Sequence, residues 1–275
     1  MHTAGTELSV VMPALNEEKN IAKALAACLQ AFDEFRIDGE IVVVNDGSSD
    51  ATEGIVAQWR QRDPRIRMIA HERPQGIGAS FWDGVAASRG RSVVMLPGDN
   101  ENSPREIFRY HSLLDHVDIV IPFVFNKDVR SLFRNAFSFV YRFIINTTFG
   151  VYFNYTNGTN LYRRSLLRQL SYRSDGFFFQ TDILIRLVKK GYLFAEVPYR
   201  LGVRKDGVSR ASSFPSFVQV VRGYIRLVND MYFDENRAAS SLYMHDSATK
   251  TRRHAAPVSA ERPLPSPDLA LAADK

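Results

Sequence analysis

Three short clusters in the 275-residue chain carry side chains able to do chemistry, and each follows an apolar run: "PALNEE" after "LSVVM", "NDGSSD" after "EIVVV", and "PGDNEN" after "RSVVML". Carboxylates such as Asp46, Asp99 and Glu101 accept hydrogen bonds from donor-rich partners and bind hard cations, which prefer oxygen ligands. Asp99 and Glu101 occupy alternate positions just past an apolar run, so both can point the same way. The glycine after Asp46 lets the chain turn sharply. One polar strand end is an ordinary turn, whereas acid-bearing ends gathered on one edge build a site.

Whether they share an edge depends on the elements that carry them. The runs "LSVVMPA", "EIVVVND", "RIRMIAH", "RSVVMLPG" and "VDIVIPFV" have strand length and are rich in Val and Ile. Between them lie helical patterns, with Ile21, Leu25, Leu29 and Phe32 on one face and Ile55, Val56 and Trp59 on another. Strands alternating with helices predict an α/β fold, a mostly parallel sheet flanked by helices. Ligands bind such sheets beyond the carboxyl ends of the strands, where all three clusters fall. Ser49 and Asp50 are expected to cap the helix that follows "NDGSSD".

From about Asn126 the rhythm changes. Helices are expected with Ile183, Leu184, Leu187 and Val188 inward, and with Phe217, Val220, Val221, Tyr224 and Val228 at core spacing. In "LFRNAFSFVYRFIINTTFGVYF", polar residues at helical spacing lie opposite Phe133, Phe137, Val140 and Ile144. That pattern predicts an amphipathic helix, packed on the core or lying in a bilayer interface. Residues 1–235 are expected to form a single domain, halved at about residue 125. The Pro-, Ala- and Ser-rich residues 236–275 read as a disordered tail.

A hydrophobic content of 45% and an aromatic content of 12% can supply a sizeable core. The net charge of +5 is too mild for a dedicated nucleic-acid binder and suits an anionic small molecule or an anionic membrane surface. The lone Cys28 excludes an internal disulfide and predicts a reducing compartment. The start of the chain does not read as a signal peptide, and no apolar run reaches the ~18 residues of a membrane span.

"VVMPALNEEKNI", "VVVNDGSSDAT", "HERPQGIGAS" and "LPGDNENSP", in that order, resemble the family 2 glycosyltransferases of the GT-A fold. More narrowly they resemble the dolichyl- or polyprenyl-phosphate sugar synthase branch, over roughly Leu8 to Arg210. The resemblance implies a Rossmann-like GT-A domain with a donor-binding half (about 7–125) and an acceptor half (about 126–235). Its activity would be inverting transfer from a UDP- or GDP-sugar to a polyprenyl phosphate, the alternatives being transfer to a glycan or metabolite hydroxyl and a catalytically degenerate protein that only binds nucleotide sugar. It implies nucleotide contacts from Pro13, Leu15, Asn16, Glu17, Asp46, Gly76, Gly78 and Gly98. A Mg²⁺ or Mn²⁺ ion would sit at Asp99, with Glu101 beside it. The branch's first metal-binding acid is replaced by Pro97, and "NYTNGTNLYRR" lacks the branch's acid and arginine at Asn154 and Asn160. Asp182 would act as base toward a hydroxyl acceptor or orient a phosphate acceptor, and Arg204 would fork onto the diphosphate. Arg130, Arg134, Ser209 and Arg210 would meet the acceptor. The expected setting is cytoplasmic, peripheral on the cytoplasmic membrane face, and a homodimer is compatible with it.

Overall fold

The protein is described by a computed structural model covering residues 5–126, 132–170, 174, 176–200, 214–233 and 243–254. The chain runs β1 (Leu8–Ala14), α1 (Ile21–Phe35), β2 (Gly39–Asn45), α2 (Thr52–Arg62), β3 (Ile66–Ala70), α3 (Ile77–Ala87), β4 (Ser92–Met95) and α4 (Pro104–Phe108). After a 3₁₀ turn follow β5 (Ile119–Val124), α5 (Leu132–Phe149), β6 (Leu161–Arg163), α6 (Arg164–Arg168), α7 (Phe179–Lys189), β7 (Phe194–Tyr199), α8 (Phe214–Tyr232) and α9 (Ala248–His254).

The seven strands form one sheet in the order β3-β2-β1-β4-β6-β5-β7. Every residue of β1 and β2 is buried, because helices cover both faces of these parallel strands. Each fully buried Val, Leu or Ile contributes ~1.5–3 kcal/mol relative to exposure. On one face α1 supplies Ile21, Leu25, Leu29 and Phe32, the last stacked on Phe108 with ring centroids 5.1 Å apart. On the other, Phe81 and Trp82 of α3 meet Phe179 of α7. Direction reverses only at β6, which pairs antiparallel with β4 and β5. Its three residues are too short for alternation to reveal.

The two amphipathic helices are two-sided: α5 turns the stripe read from its spacing outward, the alternative to core packing, and α8 divides its stripe between core and solvent. In α5 the buried residues are Ile145 and Phe149, whereas Phe137, Val140 and Ile144 are exposed. In α8 the expected Val220, Tyr224 and Val228 pack against the core beside the buried Leu227 and Met231, whereas Phe217 and Val221 are exposed along with Ile225. Apolar spacing marks a face but not which side the protein occupies.

Part of the stretch expected to be a disordered tail is ordered. Ala248 and Thr249 donate their backbone N–H groups to the buried Asp118 carboxylate at 2.7 and 3.0 Å. Tyr243 packs edge-on against Tyr192. These are long-range anchors that a composition argument overlooks.

Candidate active site at the carboxyl rim of the sheet

β1 lies between β2 and β4, so the segments after these strands are neighbours on one edge. β1, β2 and β3 step one way across the sheet and β4 the other, which makes the β1–β4 junction a topological switch point. Gly98 N–H donates to Pro13 O at 2.9 Å there, extending the β1–β4 pairing past the end of β4. A Cβ on Gly98 would lie 2.8 Å from Ile21 Cδ1 and 3.2 Å from Ala14 Cβ. Glycine is what allows "PGDNEN" to start so close to β1.

The first two loops are sewn together. Asn16, with φ 58°, donates its N–H to Ser48 Oγ at 3.0 Å and accepts the Ser49 N–H on Oδ1 at 2.8 Å. Glu17 N–H donates to Thr52 Oγ1 at 2.8 Å, and Glu18 N–H to Asp50 Oδ2 at 3.1 Å. Asp50 also accepts the Thr52 N–H at 2.9 Å, but the N-cap position of α2 falls on Ala51, which has no capping side chain, so Asp50 fastens the first helical N–H from one residue outside. Ser49 does not cap; its N–H binds Asn16 instead. Thus Pro13, Leu15, Asn16 and Glu17 share one rigid border with Asp46.

Asp46 is buried and accepts three hydrogen bonds: Gln75 N–H at 2.8 Å, Gly76 N–H at 2.9 Å, and a contact with His71 Nδ1 at 2.8 Å. Burial works to raise its pKa, but the two amides and His71 together hold it below the ordinary carboxylate value. Three donors fill most of the roughly four acceptor positions of a carboxylate. The residue expected to grip a nucleotide directly is therefore engaged in fixing the 71–76 loop. Gly76, at φ 100°, takes a conformation that favours glycine and opens α3, where Gly78 is buried. Gly47 has φ 71°, and a Cβ there would stand 2.8 Å from the Arg73 carbonyl carbon. Gly47→Ala is accordingly expected to cost about 1–3 kcal/mol of stability and to displace the loop. Chemical denaturation, with nucleotide binding measured alongside, checks both effects.

The "PGDNEN" turn is held by Asp99 Oδ1, which accepts the Glu101 N–H at 3.0 Å around Asn100 at φ 58°. Among the described residues no three His, Cys, Asp or Glu side chains form a ready metal cluster. Asp99 and Glu101, two positions apart in this turn, are nevertheless the ligand type of a Mg²⁺-type ion, which typically takes one or two carboxylates and completes its shell with phosphate oxygens and water.

α7 descends to β7, which is parallel to β5, so the first turn of α7 lies toward the same rim. Asp182 in that turn is buried; burial raises its carboxyl pKa and the Arg186 guanidinium opposes the rise. Arg186 Nε donates to Asp182 at 2.9 Å, and its terminal nitrogen to Asp230 of α8 at 2.6 Å. Nearby, Thr181 Oγ1 bonds Asn157 and Tyr141, and Gln180 bonds Tyr162 and Asn160. Arg130, Arg204, Ser209 and Arg210 lie outside the described residues; Arg134 falls in α5 but its side chain is not among those described. His71, Gln75 and Asp83 were not foreseen from sequence. The available signal was a histidine directly after β3, on the edge already rich in acids.

Comparison with known proteins identifies the family and the fold. Residues 9–171 match the family described as Glycosyl transferase family 2. The chain is 28% identical over 229 residues to polyprenol monophosphomannose synthase of Mycolicibacterium smegmatis, covering 74% of this chain and 80% of that one. It is 25% identical over 236 residues to dodecaprenyl-phosphate galacturonate synthase of Rhizobium johnstonii, covering 84% and 68%. Among solved structures it resembles glucosyl-3-phosphoglycerate synthase of Mycobacterium tuberculosis in complex with UDP, with a TM-score of 0.65 at 22% identity over 82% of this chain and 81% of that one. The same enzyme with Mn²⁺, UDP-glucose and phosphoglyceric acid superposes with a TM-score of 0.61, at the same identity and coverage. The expected fold, a mostly parallel GT-A sheet flanked by helices, is borne out.

Proposed function

From the chain's membership of glycosyltransferase family 2 we infer that it is an inverting enzyme moving a sugar from a UDP- or GDP-linked donor to a polyprenyl phosphate. The observation that carries this reading is the sewn rim: acids after β1, β2 and β4 converge at the switch point of the sheet. In the reaction an acceptor oxygen forms a bond to the anomeric carbon as the bond from that carbon to the diphosphate breaks. The nucleoside diphosphate leaves with the electron pair. Asp99 and Glu101 would hold a Mg²⁺ or Mn²⁺ ion, which when bound offsets the charge developing on the diphosphate. Asn16, Glu17 and the 71–76 loop would border the nucleoside, with Arg204 on the diphosphate and Arg130, Arg134, Ser209 and Arg210 toward the acceptor.

Asp182 supports a phosphate acceptor over a hydroxyl. It already pairs with Arg186, and an anionic acceptor needs no proton removed. The two curated relatives named above are prenyl-phosphate sugar synthases by name. Incubation with labelled donor, Mn²⁺ and undecaprenyl phosphate should yield organic-extractable product. Product confined to the aqueous phase with a glycan acceptor would overturn the lipid assignment. Donor left intact with every acceptor would leave a binding protein without catalysis.

The exposed faces of α5 and α8 suit a membrane-surface acceptor. Phe139, Phe143 and Ile225 are 60%, 63% and 61% exposed, and Arg222 and Arg226 lie exposed on α8. The helices meet where Thr148 Oγ1 and Tyr224 OH lie 2.8 Å apart and Phe149 stacks on Tyr232. Aromatic residues flanked by arginines are the signature of an interfacial helix. No described helix is long and apolar enough to cross a membrane. A recess of about 390 Å³ beside α5 is lined by Phe139, Arg142, Phe143 and Tyr152, and Arg142 Nε is buried there without a partner among the described residues. None of its lining residues belongs to the rim loops. The double variant Phe143→Asp, Ile225→Asp is expected to lower binding to vesicles of anionic phospholipid by at least about tenfold, with folding unchanged. Cosedimentation equal to that of the unaltered chain would remove the membrane contact.

A further inference from the structure

His71 stands directly after β3 and joins three elements. Its backbone N–H donates to Asn45 O at the end of β2, 2.9 Å away. Its Nδ1 lies 2.8 Å from Asp46 Oδ1, and its Nε2 lies 3.1 Å from Asp83 Oδ2 on α3. The ring is almost wholly shielded from solvent, as is Asp46, whereas the Asp83 side chain is half exposed. Asp46 in turn accepts the Gln75 and Gly76 amides. A chain of charge-assisted contacts therefore runs from the exposed Asp83 through His71 and Asp46 to the backbone of the 73–76 loop, whose residues Arg73, Pro74 and Gln75 are exposed at the rim. With both ring nitrogens facing carboxylates, neither position can be replaced by an apolar group without leaving an acid short of a donor.

We propose that His71, braced by Asp83, is a positioning residue: it holds Asp46 and the 73–76 loop in the arrangement that receives the nucleoside half of the donor. The proposal deepens the nucleotide-sugar reading given above and rests on it for the ligand's identity. It reassigns the acid at the end of β2, which acts through a loop it anchors. His71 touches no reacting atom, so its loss changes how well the donor is bound and leaves the chemical step nearly intact.

The test compares His71→Ala, His71→Asn and Asp83→Asn with the unaltered chain, by calorimetry with UDP and with GDP and by transfer kinetics. His71→Ala is expected to raise the donor KM by about tenfold or more with kcat within about threefold. His71→Asn places an amide N–H where Nδ1 stood and should recover most of that loss, and Asp83→Asn should raise KM about two- to threefold. A KM unchanged in His71→Ala, a loss confined to kcat, or an asparagine variant no better than alanine would overturn the proposal. Amide hydrogen exchange at Gln75 and Gly76 isolates the positioning from the ligand: protection present in the unaltered chain should fall at least tenfold in His71→Ala. Protection retained there refutes the inference even if nucleotide binds. Failure of the unaltered chain to bind either nucleotide would refute the donor reading, while the exchange result would still decide the positioning. Should His71→Ala not fold, the same exchange measurement on Asp83→Asn decides, with unchanged protection counting against the proposal.

Discussion

Asp99→Ala is expected to lower kcat/KM for sugar transfer by at least about 10³-fold in the presence of Mn²⁺, equivalent to about 4 kcal/mol of transition-state stabilisation. The size follows from scarcity. In "PGDNEN" the position two residues before Asp99 is Pro97, which offers no ligand, so Glu101 is the one other carboxylate of that turn. A cation that takes only one or two carboxylates has no local substitute when Asp99 goes. The same carboxylate also shapes the turn by accepting the Glu101 N–H, so an alanine result alone would mix chemistry with geometry. Asp99→Asn separates them: the amide oxygen can still accept that N–H, while the charge is gone. Both variants should therefore be nearly inactive, and Glu101→Ala should lose roughly tenfold. Initial rates with labelled donor over a Mn²⁺ titration provide the measurement. An asparagine variant within tenfold of the unaltered enzyme would detach Asp99 from the cation.

Much of this architecture could be read from residue order. The Val- and Ile-rich runs are all strands of the sheet, and the acids that follow three of them do share its carboxyl rim. Periodicity succeeds there because parallel strands buried on both faces leave a strong and uniform signal. It fails where the signal is short or two-sided. β6 has three residues, α5 turns its apolar stripe outward, and α8 divides its stripe between core and solvent. Residue type also locates a functional group without revealing its partner. Asp46 is identifiable as an acid at a strand end, but its commitment to Gln75, Gly76 and His71 depends on the path of a loop some 25 to 30 positions later. Likewise Asp182 is legible as an acid at the start of a helix, whereas its link through Arg186 to Asp230 joins α7 to α8 across 44 positions. Long-range polar pairing of this kind leaves no periodic trace.

Asp118 shows how much stability such pairing carries away from the rim. It is fully buried just before β5, at the opposite edge of the sheet from Asp99, and its carboxylate collects the Ala248 and Thr249 amides, the Thr249 hydroxyl and Arg163 Nε. Thr249 Oγ1 also accepts the Leu193 N–H at 2.8 Å, so one acid fastens the C-terminal segment to the entries of both β5 and β7. Asp118→Ala would leave Arg163 Nε, two amides and a hydroxyl without this acceptor, at a position where Asp118 itself is fully buried. The expected cost is about 3–5 kcal/mol, which for a chain of this size lowers Tm by roughly 10 °C. Asp118→Asn retains the volume but places an N–H against other donors, and should recover little. The C-terminal segment supplies three of the four donors, so deleting residues 243–275 should destabilise by a comparable amount. The two changes together should cost much less than their sum, because they remove one shared network. Donor KM should stay within about twofold throughout, since no rim loop contributes to that network. Additive losses in paired denaturation curves would mean that Asp118 and the C-terminal segment stabilise the fold separately, and a donor KM that moved with Tm would tie this edge of the sheet to the rim.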